Sequence, residues 1–82
     1  MKRVIHRLVG YDAQTDRMKV QFDIPDDLMP QVGRIAKVSP DDPAAVWSYP
    51  LTEAGTQCVA DLIGVGVAPG AAEFFLEAFA AD

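Results

Sequence analysis

The stretch from Met18 to Ile24 most narrows what this chain can become. Its polar residues Lys19, Gln21 and Asp23 alternate with Met18, Val20, Phe22 and Ile24, the period of two that belongs to a strand with one face buried. Before it, Arg3 to Tyr11 is rich in β-branched and aromatic residues, with Ile5, Val9 and Tyr11 on one face and Val4 and Leu8 on the other. A strand apolar on both faces belongs in the interior of a sheet. Asp12-Ala13-Gln14-Thr15-Asp16 between them is a polar connector of hairpin length, so the fold is expected to open with an antiparallel β-hairpin.

Two helices and two further strands are expected after the hairpin. Asp26 or Asp27 can cap a helix carrying Leu28, Val32 and Ile35, with Pro30 tolerated in its first turn and an end near Val38. Ser39-Pro40-Asp41-Asp42-Pro43 breaks the chain. Val46 to Leu51 reads as a strand confined to an edge or a strand end by Pro50. Thr52 is a good N-cap for a second helix, with Cys58, Val59, Leu62 and Ile63 as its apolar stripe and Gly64 as its C-cap. Glu73 to Phe79 fits either helix or strand; Phe74, Leu76 and Ala78 on one side, with Glu73 and Glu77 on the other, favour a closing strand. The expected fold is α+β: a small, mostly antiparallel sheet in the order ββαβαβ with two helices on one face.

Eighty-two residues leave room for one core, so residues 1–82 are read as a single small globular domain. Half of the residues are apolar and 23% are charged, the balance of a chain that folds. So small a domain has a thin stability margin, which association with a partner or a second copy would widen.

Charge is unevenly spread. The net charge is −5, yet all seven Lys and Arg lie between Lys2 and Lys37, where five Asp leave a net of +2. From Val38 onward there is no basic residue; Asp41, Asp42, Glu53, Asp61, Glu73, Glu77 and Asp82 make that part −7. Such a surface repels phosphate backbones and anionic lipid, arguing against nucleic acid and membrane, and steers a basic protein partner. No stretch approaches the roughly 20 apolar residues of a membrane span, and the apolar run after Met1 is broken at once by His6 and Arg7, so a cytoplasmic location is expected.

Catalytic and metal signatures are lacking. His6 is the only imidazole and Cys58 the only thiol, so neither a triad nor a Cys/His metal site has its full set of groups. His6 is read as structural, and Cys58, on the helix stripe, as a small buried hydrophobe. The pairs Asp26-Asp27 and Asp41-Asp42 lack the order of a calcium loop and suit caps and turns. Gly64-x-Gly66-x-x-x-Gly70 follows a helix and is no phosphate-binding loop. No cofactor is expected.

The order strand, strand, helix, then Asp42-Pro43, a Tyr49-Pro50 strand, a helix and a closing Glu73-Phe74-Phe75-Leu76-Glu77 resembles a group of short uncharacterised bacterial proteins, a domain family of unknown function. Some of these look like immunity or toxin-neighbour proteins. The resemblance implies a closing strand at Phe-Leu-Glu and an acidic domain that docks on a basic toxin.

The first functional expectation is therefore a noncatalytic protein-interaction domain. Asp41, Asp42, Glu53, Asp61, Glu73 and Glu77 would steer, and an exposed Trp47 would supply affinity. The alternatives are a self-associating homodimer domain that buries a strand edge or aromatic surface, and a small enzyme or ligand-binding domain.

Overall fold

The computed structural model describes residues 3–81. Strands β1 (Arg3–Tyr11) and β2 (Met18–Ile24) form the antiparallel hairpin, with Leu8 opposite Phe22 and His6 opposite Ile24. Asp12 holds the connector: its carboxylate accepts the N–H groups of Gln14 at 2.8 Å and Thr15 at 3.1 Å, while its carbonyl accepts from Asp16 at 2.9 Å. A 3₁₀ turn (Asp26–Leu28) leads into α1 (Met29–Ala36); then come β3 (Tyr49–Pro50), α2 (Glu53–Ile63), a second 3₁₀ turn (Pro69–Ala71) and β4 (Glu73–Ala81). The strands form one antiparallel sheet in the order β2-β1-β4-β3. This is the α+β arrangement ββαβαβ.

β1 runs through the interior of the sheet, as its two apolar faces require, and pairs with β4 from Arg3 opposite Ala81 to Tyr11 opposite Glu73. One sheet face carries Leu8, Ile24, Phe74 and Leu76, which join Val32 and Ala36 of α1 and Val59 and Ala60 of α2 in a single buried cluster. Both helices therefore lie on that face. Gly10 belongs to it because Phe74 packs directly over its backbone: a Cβ there would stand 2.8 Å from the Phe74 ring, a close approach that only glycine permits. The opposite face, with Ile5, Arg7, Val9 and Tyr11 of β1 beside Phe75, Glu77 and Phe79 of β4, has no layer upon it among the described residues.

Four local expectations are corrected. Neither Asp26 nor Asp27 caps α1 through its side chain; their segment winds into the 3₁₀ turn, and α1 starts after Leu28 with no side-chain cap. The edge strand is shorter than Val46–Leu51, because Asp42 takes the N–H groups of Val46 and Trp47 before they can reach the sheet. Cys58 is exposed; the inward side of α2 is Thr56, Val59 and Ala60, since the Thr56 hydroxyl satisfies itself on the Thr52 carbonyl at 2.8 Å and can be buried. The alternation of β2 breaks at Lys19. The register slips there, so that Gly10 pairs with Val20 and Tyr11 with Met18, the signature of a β-bulge. The caps of α2 match the reading: Thr52 Oγ1 accepts from Gly55 N–H at 2.9 Å, and Gly64 is left-handed with φ 75°.

Candidate functional site

The acidic candidates fall into three settings. Asp42 is turned inward, with 4% of its surface exposed. Its Oδ1 accepts the Val46 N–H at 3.0 Å, and its Oδ2 accepts the Trp47 N–H at 2.9 Å and the Tyr49 hydroxyl at 2.7 Å. Burial opposes its ionisation, but the two N–H groups, the Tyr49 hydroxyl and the nearby His6 outweigh that and hold the carboxyl below the usual aspartate value. Tyr49 is raised in turn, by burial and by its bond to Asp42. The same connector is tied to β1: His6 Nε2 lies 3.0 Å from the Ala44 carbonyl oxygen and 3.1 Å from that of Ala45, so this nitrogen carries a proton and donates. Asp42 and His6 thus fix the path of residues 42–49 and present Trp47 to solvent, 52% exposed.

Glu53 and Glu73 form the second setting. The start of α2 and the start of β4 converge on a cleft of about 320 Å³, and both carboxylates line it together with Pro50, Leu51, Pro69 and Phe75. Glu53 lies against the backbone of Gly70, where an added Cβ would meet its Oε1 at 2.7 Å. Two carboxylates and an aromatic wall in one recess suit the stem and head of a lysine or arginine side chain.

Glu77, the third setting, lies on the uncovered sheet face. The Tyr11 hydroxyl donates to its carboxylate at 2.9 Å, and Ser48 Oγ lies 3.4 Å from Oε2. Burial, then the bond to Glu77 and the charge behind it, raises the Tyr11 hydroxyl above its ordinary value. Asp41 and Asp61 stand apart from these clusters. Asp41 is exposed in the connector, and Asp61 accepts from Gln57 one turn earlier on the outer side of α2 at 2.8 Å. Among the described residues the single salt bridge is Arg7–Asp23, at 2.7 Å. Among the described residues, no acidic group of the second part is in a salt bridge.

The uncovered face also brings in residues that the acidic pattern did not single out. Tyr11 and Phe75 meet edge to face at 5.7 Å, and the Arg7 guanidinium sits 4.9 Å above the Phe79 ring. Beneath them Val9 is fully buried, while Ile5, Phe75 and Phe79 remain half-buried. The alternation Ile5, Arg7, Val9, Tyr11 carried the signal, since it placed a second apolar row opposite the one that faces the helices.

A broader open trough, about 640 Å³, runs between α1 and the connector and is lined by His6, Asp26, Arg34, Lys37 and Ala44 among others. The His6 Nδ1 is buried and meets no hydrogen-bond partner among the described residues. Among the described residues no group of three or more His, Cys, Asp or Glu side chains gathers closely enough to hold a metal, and no helix is long and apolar enough to cross a membrane. Compared with protein-family models, with curated proteins and with solved structures, the chain matches none.

Proposed function

We propose that this chain is a noncatalytic protein-interaction domain that docks a basic partner along the β3–β4 side of its sheet. The observation that supports the reading is that Glu53 and Glu73 share one cleft with Phe75 and that neither is in a salt bridge among the described residues. Uncompensated carboxylates on a rigid scaffold attract a basic surface over long range, and an aromatic wall supplies desolvated contact once it arrives. Trp47, exposed and held on a hydrogen-bonded connector, is preorganised for the same role, because a fixed aromatic loses little entropy on binding. Asp42 acts in this reading through the conformation it imposes. The resemblance to short bacterial proteins of immunity-like character suits an acidic domain of this kind, with a basic toxin as the partner class.

The test is capture at low salt with the tagged chain and with a Glu53→Lys/Glu73→Lys variant. The expected result is a basic protein retained by the former, released by salt and retained at least tenfold less by the variant, given about 1.4 kcal/mol per tenfold. Equal retention by both would remove the cleft from the interaction.

A further inference from the structure

The two edges of the sheet differ in their defence against further pairing. β2 carries the bulge at Lys19 and exposes Lys19, Gln21 and Asp23 along its length, devices that discourage another strand from adding. Among the described residues, β4 is paired on its outer side only by β3, at Leu76 opposite Tyr49 and Phe75 opposite Pro50, with the Leu51 N–H on the Phe74 carbonyl at 2.9 Å. Bond directions alternate along an antiparallel strand, so the N–H and C=O groups of Phe74, Leu76, Ala78 and Ala80 point away from β1. Among the described residues, those of Ala78 and Ala80 meet no backbone partner on that side. The free stretch, Ala78 to Ala81, holds no charge, no proline and no bulge.

We propose that a second copy of this chain pairs here, β4 against β4, antiparallel about a two-fold axis at Phe79. This register sets Ala78 opposite Ala80 of the second copy and Ala80 opposite its Ala78, so all four free edge groups of each chain are bonded. Centring the axis on Ala78 instead would require Leu76, which Tyr49 already occupies. The side chains agree with the same register. Because Ile5 is opposite Phe79 within one chain, the central row of the uncovered face becomes Ile5, Phe79, Phe79 and Ile5 across the axis, entirely apolar. Glu77 falls in a row with Ala81 of the second copy and then its Arg3, since Arg3 pairs with Ala81. Two strand spacings, about 10 Å, separate those backbones, and the alanine between leaves room for the glutamate and arginine to meet above it. Ser48, whose hydroxyl reaches Glu77, marks where β3 departs and the new strand ends. The contact is short, so the dimer belongs with weak, concentration-dependent assemblies.

The pairing is independent of the docking cleft, because Glu73 lies six residues from Phe79 along β4, about 20 Å away. Sedimentation from about 1 μM to about 1 mM is expected to raise the mass from 8.9 kDa toward twice that value. Ala80→Pro removes an outward N–H that the single chain does not use, and is expected to remain at monomer mass with an unchanged circular-dichroism spectrum. Cross-linking gives a second reading that needs no proline. In a Cys58→Ala background, Phe79→Cys is expected to form a disulfide dimer on mild oxidation and Gln21→Cys on the opposite edge is not. A mass that stays at the monomer value throughout, a dimer that survives Ala80→Pro, or cross-linking through Gln21→Cys in preference to Phe79→Cys would each overturn the pairing. Retention of a basic protein by Ala80→Pro separates this outcome from that of the docking reading.

Discussion

Asp41 and Asp42 are neighbours with the same side chain and opposite fates. Asp41 stays in solvent, whereas Asp42 is enclosed and accepts from two backbone N–H groups and a tyrosine hydroxyl. The difference arises because a carboxylate two to five residues ahead of a tight turn can gather the N–H groups that the turn leaves free, and only Asp42 is in register to do so. Its value is held below that of an unfolded aspartate. Its contribution to stability is therefore complete above an unfolded value of about 3.9 and fades as pH falls through the lower folded value. Asp42→Asn is expected to lower the urea midpoint at neutral pH, with the gap to the unsubstituted chain narrowing below about pH 4; a gap constant from pH 7 to pH 2 would show that ionisation plays no part. Trp47, by contrast, was legible as a candidate contact from its identity, but its exposure depends on the bond its N–H makes to Asp42.

At the scale of elements, the two helices end by different means, which single substitutions can separate. α2 begins on a side-chain cap at Thr52 and stops at a left-handed glycine, both of which can be read in the sequence because cap chemistry is local. α1 begins from a 3₁₀ turn without a side-chain cap, and ends with Lys37 at φ 57° and the Val38 N–H on the Gly33 carbonyl at 3.0 Å. Thr52→Ala is thus expected to destabilise the domain by about 1 kcal/mol, whereas Asp27→Ala is expected to shift it by under about 0.5 kcal/mol. Urea unfolding of the two variants, followed by circular dichroism, measures both, and equal losses would mean that Asp27 engages the helix in solution. Cys58 shows the limit of local reading. Counting it as apolar and Thr56 as polar turned the expected stripe away from the side of α2 that faces the core.

For the molecule as a whole, one buried cluster joins both helices to the middle of the sheet, with Leu8 and Leu76 facing each other across β1 and β4 and fully enclosed. A domain of this size is stable by about 0.05–0.15 kcal/mol per residue, and Leu8→Ala is expected to cost about 2–5 kcal/mol. That loss consumes much of the margin, so the variant should melt far below the unsubstituted chain or be unfolded at 25 °C; a melting temperature lowered by less than about 5 °C would show that the cluster is not a single cooperative core. The other sheet face is protected differently, by Tyr11 on Phe75 and Arg7 over Phe79.

Spacing left Glu73 to Phe79 open between helix and strand, and its pairing along β1 made it β4 and completed the order ββαβαβ; periodicity, caps and breakers were enough for the hairpin, the interior position of β1 and the two helices. Each of these depends on the spacing of apolar residues and on backbone chemistry within a few positions. Tertiary structure alone decided that Asp42 turns inward, that β3 shrinks to Tyr49–Pro50, that Lys19 forms a bulge, and that Glu53 and Glu73 share a cleft. Those outcomes depend on which donors and which strands come within reach across tens of residues, and one-dimensional spacing does not carry that distance.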